Sequence, residues 1–465
     1  MAKTPKRTRG VLEAQAPRSF VVRQVILPMQ SFLYIESVGS LVLLVAAVTA
    51  LIWANSPWRE AYFALWHNEL TFDLALFSVS MDLHHWVNDG LMTLFFFVVG
   101  LEIKRELVHG ELADWRRASL PAAAALGGVI IPALIYLTLN TGTEGARGWG
   151  IPMATDIAFA LGALAVLGNR IPSTVRVFLL ALAIIDDIVA ILVIALFYSG
   201  RPDFVALGMA AVWLGVIAAM RRSGVLGFGP YVVIGSLLWV AVYQSGIHAT
   251  LSGVVLGLMT PSSPYYSRSG FLGSARELLG RFEQALAQGK DDHAESLLGQ
   301  FEQLSRGTEP PLERLERILH PWASYLILPL FALANAGVEL SAAALSNAAT
   351  SPIAWGIALG LILGKLAGIT GFSWLALRTG LAALPNGMRW GHLAGVGLLA
   401  GIGFTVSLFI TELAFTDRAV IDEAKLGILA ASIVAGAGGY LWLLRVAALA
   451  EAEPGRPAST AASAV

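Results

Sequence analysis

The chain has 465 residues, of which 56% are hydrophobic and only 14% charged, with a mean hydropathy of +0.68. Soluble domains carry about 25% charged residues, so the composition excludes an ordinary globular protein and defines a polytopic membrane protein. A formal net charge of −1 offers no bulk attraction to nucleic acid, and the lack of cysteine excludes disulfides, thiolate metal sites and iron–sulfur clusters.

Residues 1–31 are basic, and the apolar run from about Phe32 to Ala54 is too long for the core of a cleaved signal peptide. It reads as the first of about twelve transmembrane helices in an all-α fold. Their centres fall near Leu43, Phe95, Gly128, Ala158, Asp186, Ala211, Leu238, Gly253, Leu330, Leu361, Gly401 and Val434. The seventh and eighth are short and separated only by Gln244-Ser245-Gly246. On this reading residues 32–260 hold spans one to eight, and 320–447 hold spans nine to twelve. Between them, 261–319 form a charged insertion whose apolar residues recur at helical spacing (Leu278, Phe282, Leu286; Leu297, Phe301, Leu304). The spacing predicts a helical hairpin broken near Gly289-Lys290-Asp291-Asp292. Residues 448–465 read as a small, polar, disordered tail. Of the 31 Lys and Arg, 25 fall on the side that carries the N-terminus and the insertion; Arg59, Arg147, Arg201, Arg418 and Lys425 fall on the other. The positive-inside rule then places both termini in the cytoplasm.

Asp186 and Asp187 lie in the middle of the apolar run Val175 to Tyr198. A charged Asp at a helix centre costs roughly 2.5–3.5 kcal/mol, and such groups face bundle interiors or water-filled cavities on ion pathways. Two further spans are interrupted: the fourth at Gly150 to Ala160, which contains Thr155-Asp156, and the eleventh at Gly401 to Ser407. Broken helices in corresponding halves point to a transport site near the midplane. Non-helical backbone is tolerated at that depth only where it lines a cavity or is buried in protein. Thr155 and Asp156 are placed to cap the restarted helix. Lys365 is buried in the tenth span and requires a carboxylate, for which Asp156, Asp186 and Asp187 are the available acids. A cluster of that kind titrates as a coupled set and suits a group that trades a proton for a cation. Asp89, Glu102, Glu106, His248, Glu316 and His320 lie at helix ends and are weaker candidates.

The chain resembles the NhaA-type sodium/proton antiporters through Asn88-Asp89-Gly90-Leu91-Met92, Val99 to Leu107, Ala154 to Phe159, Leu182 to Asp187, Ser245 to Leu251, Leu319 to Trp322, Leu328 to Gly337, Gly364-Lys365 and Gly401 to Thr405. These stretches run in order over roughly Phe32 to Val446. The resemblance implies inverted repeats in spans three to five and ten to twelve, with the two broken helices crossing at the midplane. It implies Asp187 as the main carrier of cation and proton, Asp186 as its helper paired with Lys365, and Thr155 and Asp156 lining or compensating the site. Asp186, Asp187 and Thr155 would be the oxygen ligands of the transported Na⁺. Asp89, Glu102, Glu106, His248, Glu316 and His320 match positions tied to pH response.

Implied with these are electrogenic exchange of cytoplasmic Na⁺ or Li⁺ for external H⁺, active under pH control, no cofactor, an inner-membrane location in a bacterial cell, and a homodimer formed through the outer loop Ser56 to Asp82. Two departures bear on regulation: the insertion is longer than the family pattern, and Arg317 follows Glu316 where a histidine is expected. The residues alone also leave open a K⁺/H⁺ exchanger or a Na⁺-coupled symporter. An intramembrane aspartyl protease needs two such carboxylates as well, but its Gly-x-Gly-Asp signature is absent, because Gly403 is followed by Phe404.

Overall fold

The computed structural model describes residues 36–74, 77–225 and 228–452. The basic N-terminus and the tail from residue 453 lie outside the described residues. The first helix, α1 (Glu36–Ala54), is followed after a 117° bend by a short α2 (Arg59–Trp66). A two-stranded antiparallel hairpin comes next, β1 (Glu69–Leu74) paired with β2 (Phe77–Asp82), in the register Leu70 to Met81 and Leu74 to Phe77. These elements lie within Ser56 to Asp82, which the sequence alone reads as a loop.

The chain re-enters through a turn and a π-helical stretch (Trp86–Leu91) into α3 (Met92–His109), then α4 (Trp115–Asn140). A 3₁₀ segment, Glu144–Met153, leads into α5 (Ile157–Leu167). The fourth span is therefore broken at residues 154–156; its Gly150 to Met153 stretch is helical, not the break itself. The helices α6 (Ser173–Val193), α7 (Phe204–Arg222), α8 (Phe228–Gln244) and α9 (Thr250–Met259) follow. The insertion is two helices, α10 (Arg268–Ala287) and α11 (Asp291–Thr308), turned at Gly289, whose φ of 66° a side chain would disfavour.

The remaining chain is α12 (Pro311–Trp322) continued by a π turn into α13 (Leu328–Asn335), a peripheral α14 (Ala342–Thr350), α15 (Pro352–Leu359) continued by another π turn into α16 (Lys365–Arg378), the bent pair α17 (Trp390–Leu399) and α18 (Phe404–Ala414), and α19 (Arg418–Ala452). All twelve predicted centres fall on helical elements, or at Gly401 in the break between α17 and α18. Among the described residues, seven helices are individually long and apolar enough to cross a membrane, and nine when each bent pair is taken as one span.

Small residues set how closely these helices approach. A Cβ on Gly127 of α4 would lie 2.1 Å from the carbonyl oxygen of Gly368 in α16, and one on Gly368 the same distance from that of Gly127. Without side chains between them the two backbones touch, the usual device for helix packing in lipid. That contact sits one turn from Lys365 and fixes where its side chain enters the core. At the centre, α6 buries Asp186 and Asp187 among Leu182, Ala183, Ile184 and Ala190.

Candidate functional site

The two breaks face each other. The amide of Asp156 donates to the carbonyl of Ile402 at 2.6 Å, so each break satisfies part of the other's stranded backbone. Asp156 is the N-cap of α5, accepting from the Phe159 amide at 3.2 Å. Its other oxygen accepts from the Thr405 amide at 3.0 Å and the Thr405 hydroxyl at 2.5 Å, at the first turn of α18. One buried carboxylate thus meets the positive ends of two half-helices, offsetting both. The predicted capping role belongs to Asp156 alone. Thr155 instead directs its hydroxyl at two acceptors, the Ala400 carbonyl at 2.9 Å and Asp186 Oδ2 at 2.8 Å.

Lys365 is fully buried, and its Nζ donates to Asp186 Oδ2 at 2.7 Å. Of the three acids open to it in the sequence, Asp186 is therefore its partner. Asp186 Oδ2 takes both Lys365 and Thr155, while Oδ1 is buried without a hydrogen bond. Asp187 differs from every neighbour. It is 7% exposed, yet among the described residues its carboxylate makes no hydrogen bond and no ion pair. The fields of Glu102, Asp186 and Asp156 reach it, opposed by Lys365. Oxygen atoms of Thr155 and Asp186 meet at the broken-helix crossing, with Asp187 next to Asp186 on α6, and hard cations take oxygen donors of this kind. Among the described residues no cluster of three or more acidic or histidine side chains is arranged to hold a resident metal ion.

The weaker candidates divide into two groups. At one end of α3, Glu102 lies 3.8 Å from His320 of α12, and Arg105 bridges Glu316 and Glu106, the latter at 3.4 Å. Four sequence candidates, Glu102, Glu106, Glu316 and His320, therefore form one charged cluster, with Arg105 as a member the sequence reading missed. Asp89 and His248 are at the opposite end; His248 bonds the Tyr198 carbonyl at 2.8 Å, and its charge reaches Asp89. Also missed was a pair at the end of α18 and the start of α19. Lys425, read from sequence as a loop charge, is 7% exposed and meets Glu412 at 2.7 Å.

A bundle of apolar helices that buries a lysine and three aspartates where two broken helices meet has the makings of an ion-transporting membrane protein. The family model described as Na⁺/H⁺ antiporter 1 matches residues 30–443. Similar proteins include the Na⁺/H⁺ antiporter NhaA of Janthinobacterium sp. (strain Marseille), 50% identical over 416 residues, 89% of this chain and 92% of that protein. That of Rhodopirellula baltica is 49% identical over 420 residues, covering 90% of this chain and 94% of the relative. That of Cupriavidus necator is 49% identical over 416 residues, with 89% of each chain covered. The chain belongs to the Na⁺/H⁺ antiporter 1 family.

Proposed function

We propose that this protein exchanges cytoplasmic Na⁺, or Li⁺, for external protons across a bacterial inner membrane, with Asp187 as the carrier. The observation that carries this reading is the contrast between Asp187 and its surroundings. Asp156, Thr155, Asp186 and Lys365 all engage one another or a backbone group, whereas Asp187 is buried beside them without a partner. An unpartnered carboxylate at that depth must take either a proton or a cation, because a bare charge is too costly. Na⁺ and H⁺ therefore compete for the same oxygens, and one leaves before the other binds. Asp186 and Thr155 complete the Na⁺ ligands. Lys365 releases Asp186 in doing so, and Asp156 keeps the crossing together throughout.

Two protons carried per Na⁺ would move one net charge inward, to which the membrane potential contributes about 2.3 kcal/mol per 100 mV. The Glu102, Glu106, Glu316 and His320 cluster, with Asp89 and His248 at the other face, is the proposed pH-responsive set. The α10–α11 hairpin would lie in the cytoplasm with both termini, twelve crossings being counted, and the β1–β2 hairpin would join two copies as a homodimer.

The test is a pH-dye assay on reconstituted vesicles, adding NaCl, LiCl, KCl and choline chloride between pH 6 and 9. Dequenching by Na⁺ and Li⁺ but not K⁺ or choline, abolished by Asp187→Asn, is the expected result. A response to K⁺ would favour a K⁺/H⁺ exchanger, and undiminished exchange in Asp187→Asn would refute the carrier assignment.

A further inference from the structure

A polar network outside the ion site lies at the opposite end of the bundle from the insertion, the face that the charge distribution makes the outer one. It joins His84, at the entry to α3, with Asn88 one turn later and Asn335 at the end of α13. The hydrogen-bond polarity can be worked out from one fixed point. Asn335 Nδ2 lies 3.0 Å from the backbone carbonyl of Phe331, which can only accept, so this end of the amide is the donor. It also donates to Asn88 Oδ1 at 2.8 Å. Asn335 Oδ1 is then an acceptor, and His84 Nε2, 3.0 Å from it, must carry a hydrogen. Asn88 Nδ2 is in turn a donor, 3.4 Å from both Asn335 Oδ1 and His84 Nδ1. His84 Nδ1 is therefore an acceptor. The network as built requires the neutral imidazole, protonated on Nε2.

Beneath this polar tier lies an aromatic one. Phe331 and Phe409 precede Asn335 and Glu412 by about one helical turn, and the ring centroids of Phe409 lie 6.3 Å from Phe331 and 5.3 Å from Phe96. All three rings are buried where α3, α13 and α18 meet. The charged groups facing His84 are Asp82 and His85 from its own segment, Glu412 from α18 and Lys425 from α19. Asp82 is already engaged by the amide and ring of His85, at 2.8 and 2.6 Å. Glu412 is thus the anion left to answer a charge on His84, and it is shared with Lys425.

We propose that His84 is the outer docking site for the exchanged proton, and that its protonation unlocks the Asn88–Asn335 bridge above the phenylalanine plug. A proton from outer water adds to Nδ1 and turns that atom from acceptor to donor. Two donors, Nδ1–H and Asn88 Nδ2–H, then face each other. Asn88 must rotate its oxygen toward the imidazolium, which removes the acceptor of Asn335 Nδ2 and frees the end of α13 from the start of α3. The imidazolium meanwhile draws Glu412, one turn from Phe409, away from Lys425. Loss of the proton from Nδ1 restores the bridge. This rests on the proton-exchange reading, since it assigns a place for the same proton to enter.

Two measurements test it. In vesicles with the inner pH clamped, wild-type exchange against outer pH should show an inflection below the ordinary imidazole value of about 6.5, because burial of His84 opposes its protonation. His84→Gln, which can still donate to Asn335 but takes no proton in that range, should lose it. Asn88→Ser, which keeps the imidazole but has no bridge to release, should lose it too. An inflection retained in both variants would overturn the proposal. The second measurement needs no transport, so it survives a failure of the antiport reading. The difference in thermal midpoint between wild type and His84→Gln in detergent should be constant above the imidazole range. It should shrink or reverse below it, as the wild-type bridge opens. A difference independent of pH from 5.5 to 8 would overturn the proposal even if no cation were exchanged.

Discussion

Removing the ammonium of Lys365 with the near-isosteric Lys365→Met should destabilise the protein by roughly 3–5 kcal/mol, the usual cost of breaking a buried ion pair from one side. The structure gives two routes to that figure. If Asp186 stays charged, its Oδ2 keeps only the Thr155 hydroxyl at 2.8 Å and its Oδ1 still has no hydrogen bond, in a side chain 1% exposed. If it instead takes a proton, each pH unit above the ordinary carboxylate value of about 3.9 costs about 1.4 kcal/mol, which comes to about 4 kcal/mol at pH 7. Neither escape is cheap, and the similarity of the two figures makes the prediction robust to which one the protein uses. Asp186→Asn alone should cost a comparable amount, because it strands a fully buried ammonium. The double variant Lys365→Met/Asp186→Asn removes both charges and should recover most of the loss. The assay is thermal unfolding of purified protein in detergent at pH 7, followed by the emission of its 13 tryptophans. Additive losses in the double variant, or a Lys365→Met protein as stable as wild type, would refute the argument that the pair is a coupled buried unit.

Gly368→Ala should lower stability by roughly 1–3 kcal/mol and reduce exchange, because its Cβ would sit 2.1 Å from backbone of α4 and force α16, with Lys365, away from Asp186. Gly371→Ala, with nothing within 4 Å of the added carbon, is the control and should be neutral or stabilising by about 1 kcal/mol in the same thermal assay. At the end of β2, partial burial opposes ionisation of Asp82, but the His85 amide and ring outweigh it and hold its carboxyl below the usual carboxylate range. A depressed folded value contributes stability above the unfolded pKa of about 3.9 and loses it as pH falls through the folded value. Asp82→Asn should therefore flatten the fall in thermal midpoint below pH 4, and Asp82→Ala should cost about 1 kcal/mol at pH 7 through the lost cap.

Much of the fold is legible in the sequence because lipid imposes a simple rule: apolar runs of span length become helices. The breaks at Thr155-Asp156 and Gly401 to Gly403 are equally visible, since Gly, Pro and polar residues at that depth need a reason. Lys365 announces its need for a carboxylate, but not which one, because choosing Asp186 over Asp156 requires the crossing angle of helices more than 170 residues apart in sequence. Helix-end polar residues hide their roles for the same reason. Glu412 and Lys425 look like surface charges until α18 and α19 are laid side by side, and Arg105 looks like a flanking cation until α12 brings Glu316 to it. The β hairpin was legible in principle: Leu70, Phe72 and Leu74, then Phe77, Val79 and Met81, alternate with the period of two that strands require.

What distinguishes Asp187 is visible only when the hydroxyl protons around it are counted. Thr155 has one proton and two acceptors in reach, Ala400 carbonyl and Asp186 Oδ2, so it satisfies one at a time. With Asp186 ionised, Lys365 secures Oδ2 whichever way the hydroxyl turns. With Asp186 protonated, its O–H can donate to Thr155, the hydroxyl turns wholly to Ala400, and Lys365 loses its anion. Asp186 can therefore change state only by a rearrangement that engages the Thr155 hydroxyl, the α17–α18 break and α16 together. Among the described residues Asp187 has no such ties, so on the proposed reading it would exchange one ion for another without first breaking a bond to the protein. On the exchange proposed above, the rapid, repeated step would fall on Asp187, and the step that commits the two broken helices to a new arrangement would fall on Asp186.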